Sequence, residues 1–140
     1  MVRRVPADVG DTMENEAIGT FDVKLAPIGS GDGPISSMSI DKTFHGDLQG
    51  SSLGQMLAFR SGVEGSAGYV AMERVTAILG GRQGSFTLQH SGLMDKGAQS
   101  LTVVVVPDSA TEGLTGLAGT MNIVVTPGRH DYQFRYTLPD

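Results

Sequence analysis

The stretch YVAMERVTAILGGRQGSFTLQH, residues 69–90, carries a phenol, a carboxylate and an imidazole in Tyr69, Glu73 and His90. Brought together, such groups could move a proton, with Glu73 as general base and His90 or Tyr69 as acid, roles served by pKa values near the working pH. Whether they meet depends on a hairpin. Both arms alternate apolar and polar residues, and glycines lie between them. A two-residue loop at Gly81-Arg82 sets Val75 opposite Leu88 and Glu73 opposite His90. A loop at Gly80-Gly81 changes those partners but keeps the parity. Either way Glu73 shares a face with Tyr69, Val75, Phe86, Leu88 and His90, and this face is expected to point inward. A buried carboxylate is costly unless paired, and histidine is its natural partner near neutral pH. Glu73 and His90 are therefore expected within reach of a direct or water-mediated hydrogen bond. The plainest reading is that they satisfy each other and do nothing more; the functional one makes them the polar end of a ligand cavity.

Other residues offer less. His45 and Asp47 flank Gly46 in TFHGDLQG, where they could transfer a proton or bind a metal, although Asp at a turn usually caps backbone donors. No second histidine stands at metal-ligand spacing, so no metal site is expected. GSGDGP at 29–34 is followed by proline and a strand rather than a helix start, so it is no phosphate cradle. The pattern G-x-S-x-G occurs once, in GSSLG at 50–54, but inside an expected strand rather than at a strand-to-helix turn, so no nucleophile elbow is expected. Tyr132, Phe134 and Tyr136 alternate along the last strand, which reads first as core and otherwise as the wall of a cavity. The methionines, among them Met38, Met56, Met72, Met94 and Met121, read as adaptable packing residues.

The elements that must position these groups are strands. Runs rich in Val, Ile and Thr, cut by 20 glycines, give eight candidates near 18–27, 36–45, 50–59, 67–79, 84–91, 99–106, 114–125 and 130–138. No segment between them has a helical period. Eight sequential strands on mostly short loops suit an up-and-down antiparallel barrel or a two-sheet sandwich, and the barrel is expected because its closure leaves no sheet edge exposed. Residues 1–16 are polar and without periodicity and read as a flexible tail. One domain spans 17–140.

The 140 residues contain no cysteine, which excludes disulfides, a thiol nucleophile and thiolate metal sites. A net charge of −5, with ten basic residues scattered along the chain and only Arg3 and Arg4 adjacent, excludes a basic surface for nucleic acid. The first residues lack the apolar stretch of a signal peptide, and no run is long enough to span a membrane, so a cytoplasmic location with no membrane partner is expected. No cofactor is implied. Apolar residues on the outward parity, including Val70, Met72, Ile78, Val104 and Val106, lead us to expect a homo-oligomer.

Three stretches, SIDKTFHGDLQGSSLGQML at 39–57, GSAGYVAMERVTAILGGRQGSFTLQHSG at 65–92 and LTVVVVPDSATEGLTGLAGTMNI at 101–123, resemble the bacterial family catalogued as domain of unknown function 3224. The likeness covers about 20 to 138. It implies the eight-stranded antiparallel barrel of allene oxide cyclase, shared with plant dirigent proteins, and it implies no activity. GLTGLAG at 113–119 resembles a glycine-rich strand start of that superfamily, but Ala110-Thr111-Glu112-Gly113 departs from its usual G-T-G.

Read together, these residues point to a barrel that binds a small apolar molecule. It would act as a cyclase or isomerase through Glu73, His90 and Tyr69, with Phe86, Leu88, Tyr132, Phe134, Tyr136 and His45 as ligand contacts. The alternatives are a ligand carrier or sensor without chemistry and a purely structural oligomeric barrel.

Overall fold

A computed structural model describes residues 3–6, 13–31 and 33–139. Among these, a short strand, β1 (Arg3–Pro6), precedes eight longer ones. They are β2 (Met13–Pro27), β3 (Ser36–Gly46), β4 (Leu48–Arg60), β5 (Ala67–Leu79), β6 (Arg82–Asp95), β7 (Ala98–Val105), β8 (Ala118–Thr126) and β9 (Arg129–Thr137). Each pairs antiparallel with the next, and β2 also pairs with β9, which closes β2–β9 into an eight-stranded barrel. The architecture expected from the alternating runs is the one observed. A single 3₁₀ turn at Glu112–Leu114 is the only helical element among the described residues, and no helix there is long and apolar enough to cross a membrane.

The expected domain boundary at Ala17 falls inside β2. Pairing with β9 reaches back to Asn15↔Tyr136, and Arg3–Pro6 pairs with Met13–Glu16. Residues 1, 2 and 7–12 of the expected tail lie outside the described residues.

Strict alternation sets the interior. Along β5 the buried residues are Ala71, Glu73, Val75, Ala77 and Leu79, with every intervening residue exposed. The β5–β6 loop is Gly80-Gly81, with φ of 59° and 78°, the pair of positive values that a type I′ turn requires and that only glycine adopts freely. Leu79 faces Arg82 across it, and Glu73 accordingly faces Leu88 while Ala71 faces His90. This corrects the partners expected from a Gly81-Arg82 turn, while the parity stands.

One end of the barrel is sealed. The chain from Val106 to Leu117 closes it, running beside β6 with Val106 N–H bonded to Thr87 O and Thr111 N–H to Ser85 O, and it buries Leu114 and Leu117 in the core. The expected strand start at 114 is therefore a 3₁₀ turn, and β8 begins at Ala118. This strap replaces much of a pairing, because β7 and β8 meet in one bridge, Val104↔Thr120. Every other neighbouring pair in the barrel has a longer register. Above Phe21, Phe44, Phe86, Phe134 and Tyr136, which fill the sealed half, the opposite end is open.

Candidate functional site

Mid-barrel, four polar side chains interrupt the apolar interior. Glu73 on β5 is 1% exposed, and its carboxylate lies 3.2 and 3.0 Å from Nζ of Lys42 on β3. Ser52 Oγ on β4 donates to Glu73 Oε2 at 3.4 Å. His90 on β6 is 4% exposed, with Nε2 3.4 Å from Glu73 Oε1 but without the alignment of a hydrogen bond, so that nitrogen is buried and unpartnered. The expected closeness of Glu73 and His90 is present as an electrostatic contact. Lys42 is the better-placed partner.

The local sequence explains the cluster. Ile40, Lys42 and Phe44 follow one another on the inner face of β3, and Lys42 faces Ser52 in the β3–β4 register. Gly54 faces Glu73, and a Cβ there would lie 2.7 Å from the Glu73 Cα and 2.8 Å from its Cβ, so only glycine leaves room for this approach. The Lys42 ammonium also sits 4.6 Å from the centre of the Phe21 ring and 5.8 Å from that of Phe44, cation–π contacts that offset part of its desolvation.

Burial pushes the Glu73 carboxyl up, but the neighbouring His90 imidazole and Lys42 ammonium more than reverse it and hold the group below its ordinary range. It is a stable carboxylate at neutral pH and for that reason a poor general base. Tyr69 responds in the opposite sense: burial, and then the negative charge of Glu73, raise its phenol. Its ring centre is 6.5 Å from that of His90, and it lies over Gly92, where a Cβ would come within 2.4 Å of the ring.

Above this cluster the barrel opens into a cavity of about 630 Å³, lined by Met38, Met56, Tyr69, Met94, Leu101 and Val125 among others. It lies where β7 and β8 part, since Leu101 belongs to the first and Val125 to the second. Arg60, the last residue of β4, supplies the only charge on its wall among the described residues.

Of the residues expected from sequence to form a site, Glu73, His90 and Tyr69 are brought together, and Tyr69 reaches the cavity wall. Phe86, Leu88, Tyr132, Phe134 and Tyr136 are corrected from cavity wall to packed core, because the sealed end leaves no space beside them. Phe134 stacks between Phe86, at 5.9 Å, and Tyr136, at 5.2 Å. The Tyr132 hydroxyl accepts from Leu48 N–H at 2.8 Å and can donate to His45 O at 2.9 Å, locking the β3–β4 turn. His45 is corrected too: its side chain faces outward on the opposite parity to Phe44, 53% exposed and 2.9 Å from Asp22. Asp47 acts as a backbone cap, accepting from Ile18 N–H at 3.0 Å. Among the described residues no cluster of three or more His, Asp or Glu could hold a metal. Sequence reasoning missed Lys42 and Ser52. The parity argument applied to His90 would have found Lys42, which shares its face with Ile40 and Phe44.

Residues 17–136 match the family described as "Protein of unknown function (DUF3224)". Among solved structures, the chain is similar to a crystal structure of a protein with unknown function from the DUF3224 family of Shewanella oneidensis MR-1. The two are 45% identical with a TM-score of 0.84, over 91% of this chain and 98% of that one. No curated protein matches.

Proposed function

This chain belongs to the DUF3224 family, and from the geometry of its barrel we propose that it binds a small, predominantly apolar molecule in the open end. The observation that carries this is the cavity of about 630 Å³, whose size and largely apolar wall suit such a ligand. Three methionines on that wall give it an adaptable surface. The Glu73–Lys42 pair forms a fixed polar layer beneath, and His90 Nε2 is the polar atom there with a hydrogen bond still to make. The resemblance of its sequence to the allene oxide cyclase-like barrels supports an architecture of that kind and no chemistry.

Native mass spectrometry on gently purified protein tests the reading. The expected result is a bound small molecule that is lost in Ala58→Trp, a substitution that fills the cavity from its wall. Protein that carries no such mass and shows no resonance shifts at Tyr69, Gly92 and Leu101 with any apolar probe would overturn it.

A second reading, isomerisation by proton transfer, is favoured by the unpartnered His90 Nε2 beside Tyr69. Because Glu73 is held as a weakly basic carboxylate, His90 takes the exchanging role on this reading. His90→Gln would then abolish turnover of the isolated ligand while binding persists.

The outer face of β4–β6 exposes Leu53, Leu57, Val70, Met72 and Ile78, and this apolar area supports assembly into a homo-oligomer. Val104 and Val106 are half-buried and contribute less.

A further inference from the structure

The cavity wall is apolar apart from a few neutral polar groups and one cation, the Arg60 guanidinium at the rim. The other inward cation, Lys42, already has Glu73 within 3.2 Å on both carboxylate oxygens. Arg60 differs. Among the described residues its guanidinium has neither an ion pair nor a hydrogen bond, although Glu64 stands in the adjoining turn. Its partner across the β4–β5 register is Ala67, so no side chain on that strand competes for the guanidinium. The chain as a whole carries a net charge of −5, which repels anions unless a local cation receives them. An unpaired planar fork of N–H donors beside an apolar opening matches a carboxylate in shape and charge.

From this juxtaposition we propose that the ligand is a compact organic monoanion, its apolar body against Met38, Met56, Tyr69 and Leu101 and its carboxylate-like head at Arg60. The inference rests on the reading that the open end binds an apolar molecule and adds the charge of that molecule to it. One cation at the rim selects one negative charge. Gln99 and Ser100, also on the wall, are neutral donors that add no charge.

Titration of the intact protein with three chain-matched probes, decanoate, 1-decanol and decylammonium, separates the two claims, with Ala58→Trp as the blocked control. Decanol is expected to bind, decanoate about fivefold more tightly and decylammonium more weakly than either. Arg60→Gln should erase the advantage of decanoate and leave decanol unchanged. Arg60→Glu should reverse the order of the two ions. The Arg60 guanidinium bonds to nothing else among the described residues, so both variants are expected to melt with the wild type. Equal binding of decanoate and decanol, or an advantage that survives in Arg60→Gln, would overturn the assignment of Arg60 while leaving the cavity reading intact. Failure of all three probes would overturn both.

Discussion

At the scale of single residues, the inner polar layer behaves as a unit. A buried ion pair is worth little against a well-packed apolar pair, but removing one partner strands the other charge away from water. Lys42→Met should therefore cost about 3–5 kcal/mol in denaturant unfolding, and Lys42→Met with Glu73→Leu should recover most of that loss. Simple addition of the two single effects would show that the groups do not interact. The carboxyl of Glu73 is held below its ordinary value of 4.5, so its contribution to stability is whole above that pH and is lost as pH falls through the lowered value. Melting temperatures from pH 6 to 2 should show a steep acid loss in the wild type that the Lys42→Met/Glu73→Leu protein lacks. Glu73 and His90 were legible because an alternating strand makes an acid or imidazole on an apolar face conspicuous. Lys42 escaped notice because Asp41 and Thr43 beside it give DKT the look of a solvent-facing run, although parity alone separates it from them.

At the scale of elements, the eight strands could be read from alternation and glycine spacing, and the loops less well. The strap from Val106 to Leu117 contains Val, Leu and Thr like a strand. Its bonds, however, join its backbone N–H groups to carbonyls of β6 and its own Ser109 and Thr111 hydroxyls to N–H groups of β6, a tertiary arrangement with no local period. That strap also decides which aromatic residues line space and which are packed, so the cavity wall could not be derived from the stripe of Tyr132, Phe134 and Tyr136. Tyr132 serves an element instead, tying β9 to the β3–β4 turn. Tyr132→Phe leaves Leu48 N–H without its acceptor and should cost about 1–3 kcal/mol. Burial pushes the Tyr132 phenol up to about 12, against an ordinary value of 10.0. Its neutral form therefore supports the fold below pH 10, and that support is lost as pH rises toward 12. A thermal melt series from pH 9 to 12 should show this alkaline loss in the wild type and not in Tyr132→Phe.

At the scale of the whole molecule, the outer face of β4–β6 sets the expectation for solution behaviour. Light scattering at micromolar concentration should give at least twice the 14.6 kDa of one chain, and Val70→Lys with Met72→Glu should return it to that mass. A wild-type mass of one chain would mean that this apolar face is tolerated bare. The single bridge between β7 and β8 bears on a different property. A ring of strands opens at its weakest joint, and here that joint runs beside the cavity. Amide hydrogens along β4, β5 and β6 should exchange with solvent deuterium only on global unfolding, whereas those of Met121–Val125 that face β7 should exchange through small, frequent openings. Uniform protection across β5, β7 and β8 would contradict this. Such a joint would let the open end widen or narrow around the proposed guest while the sealed half stays rigid.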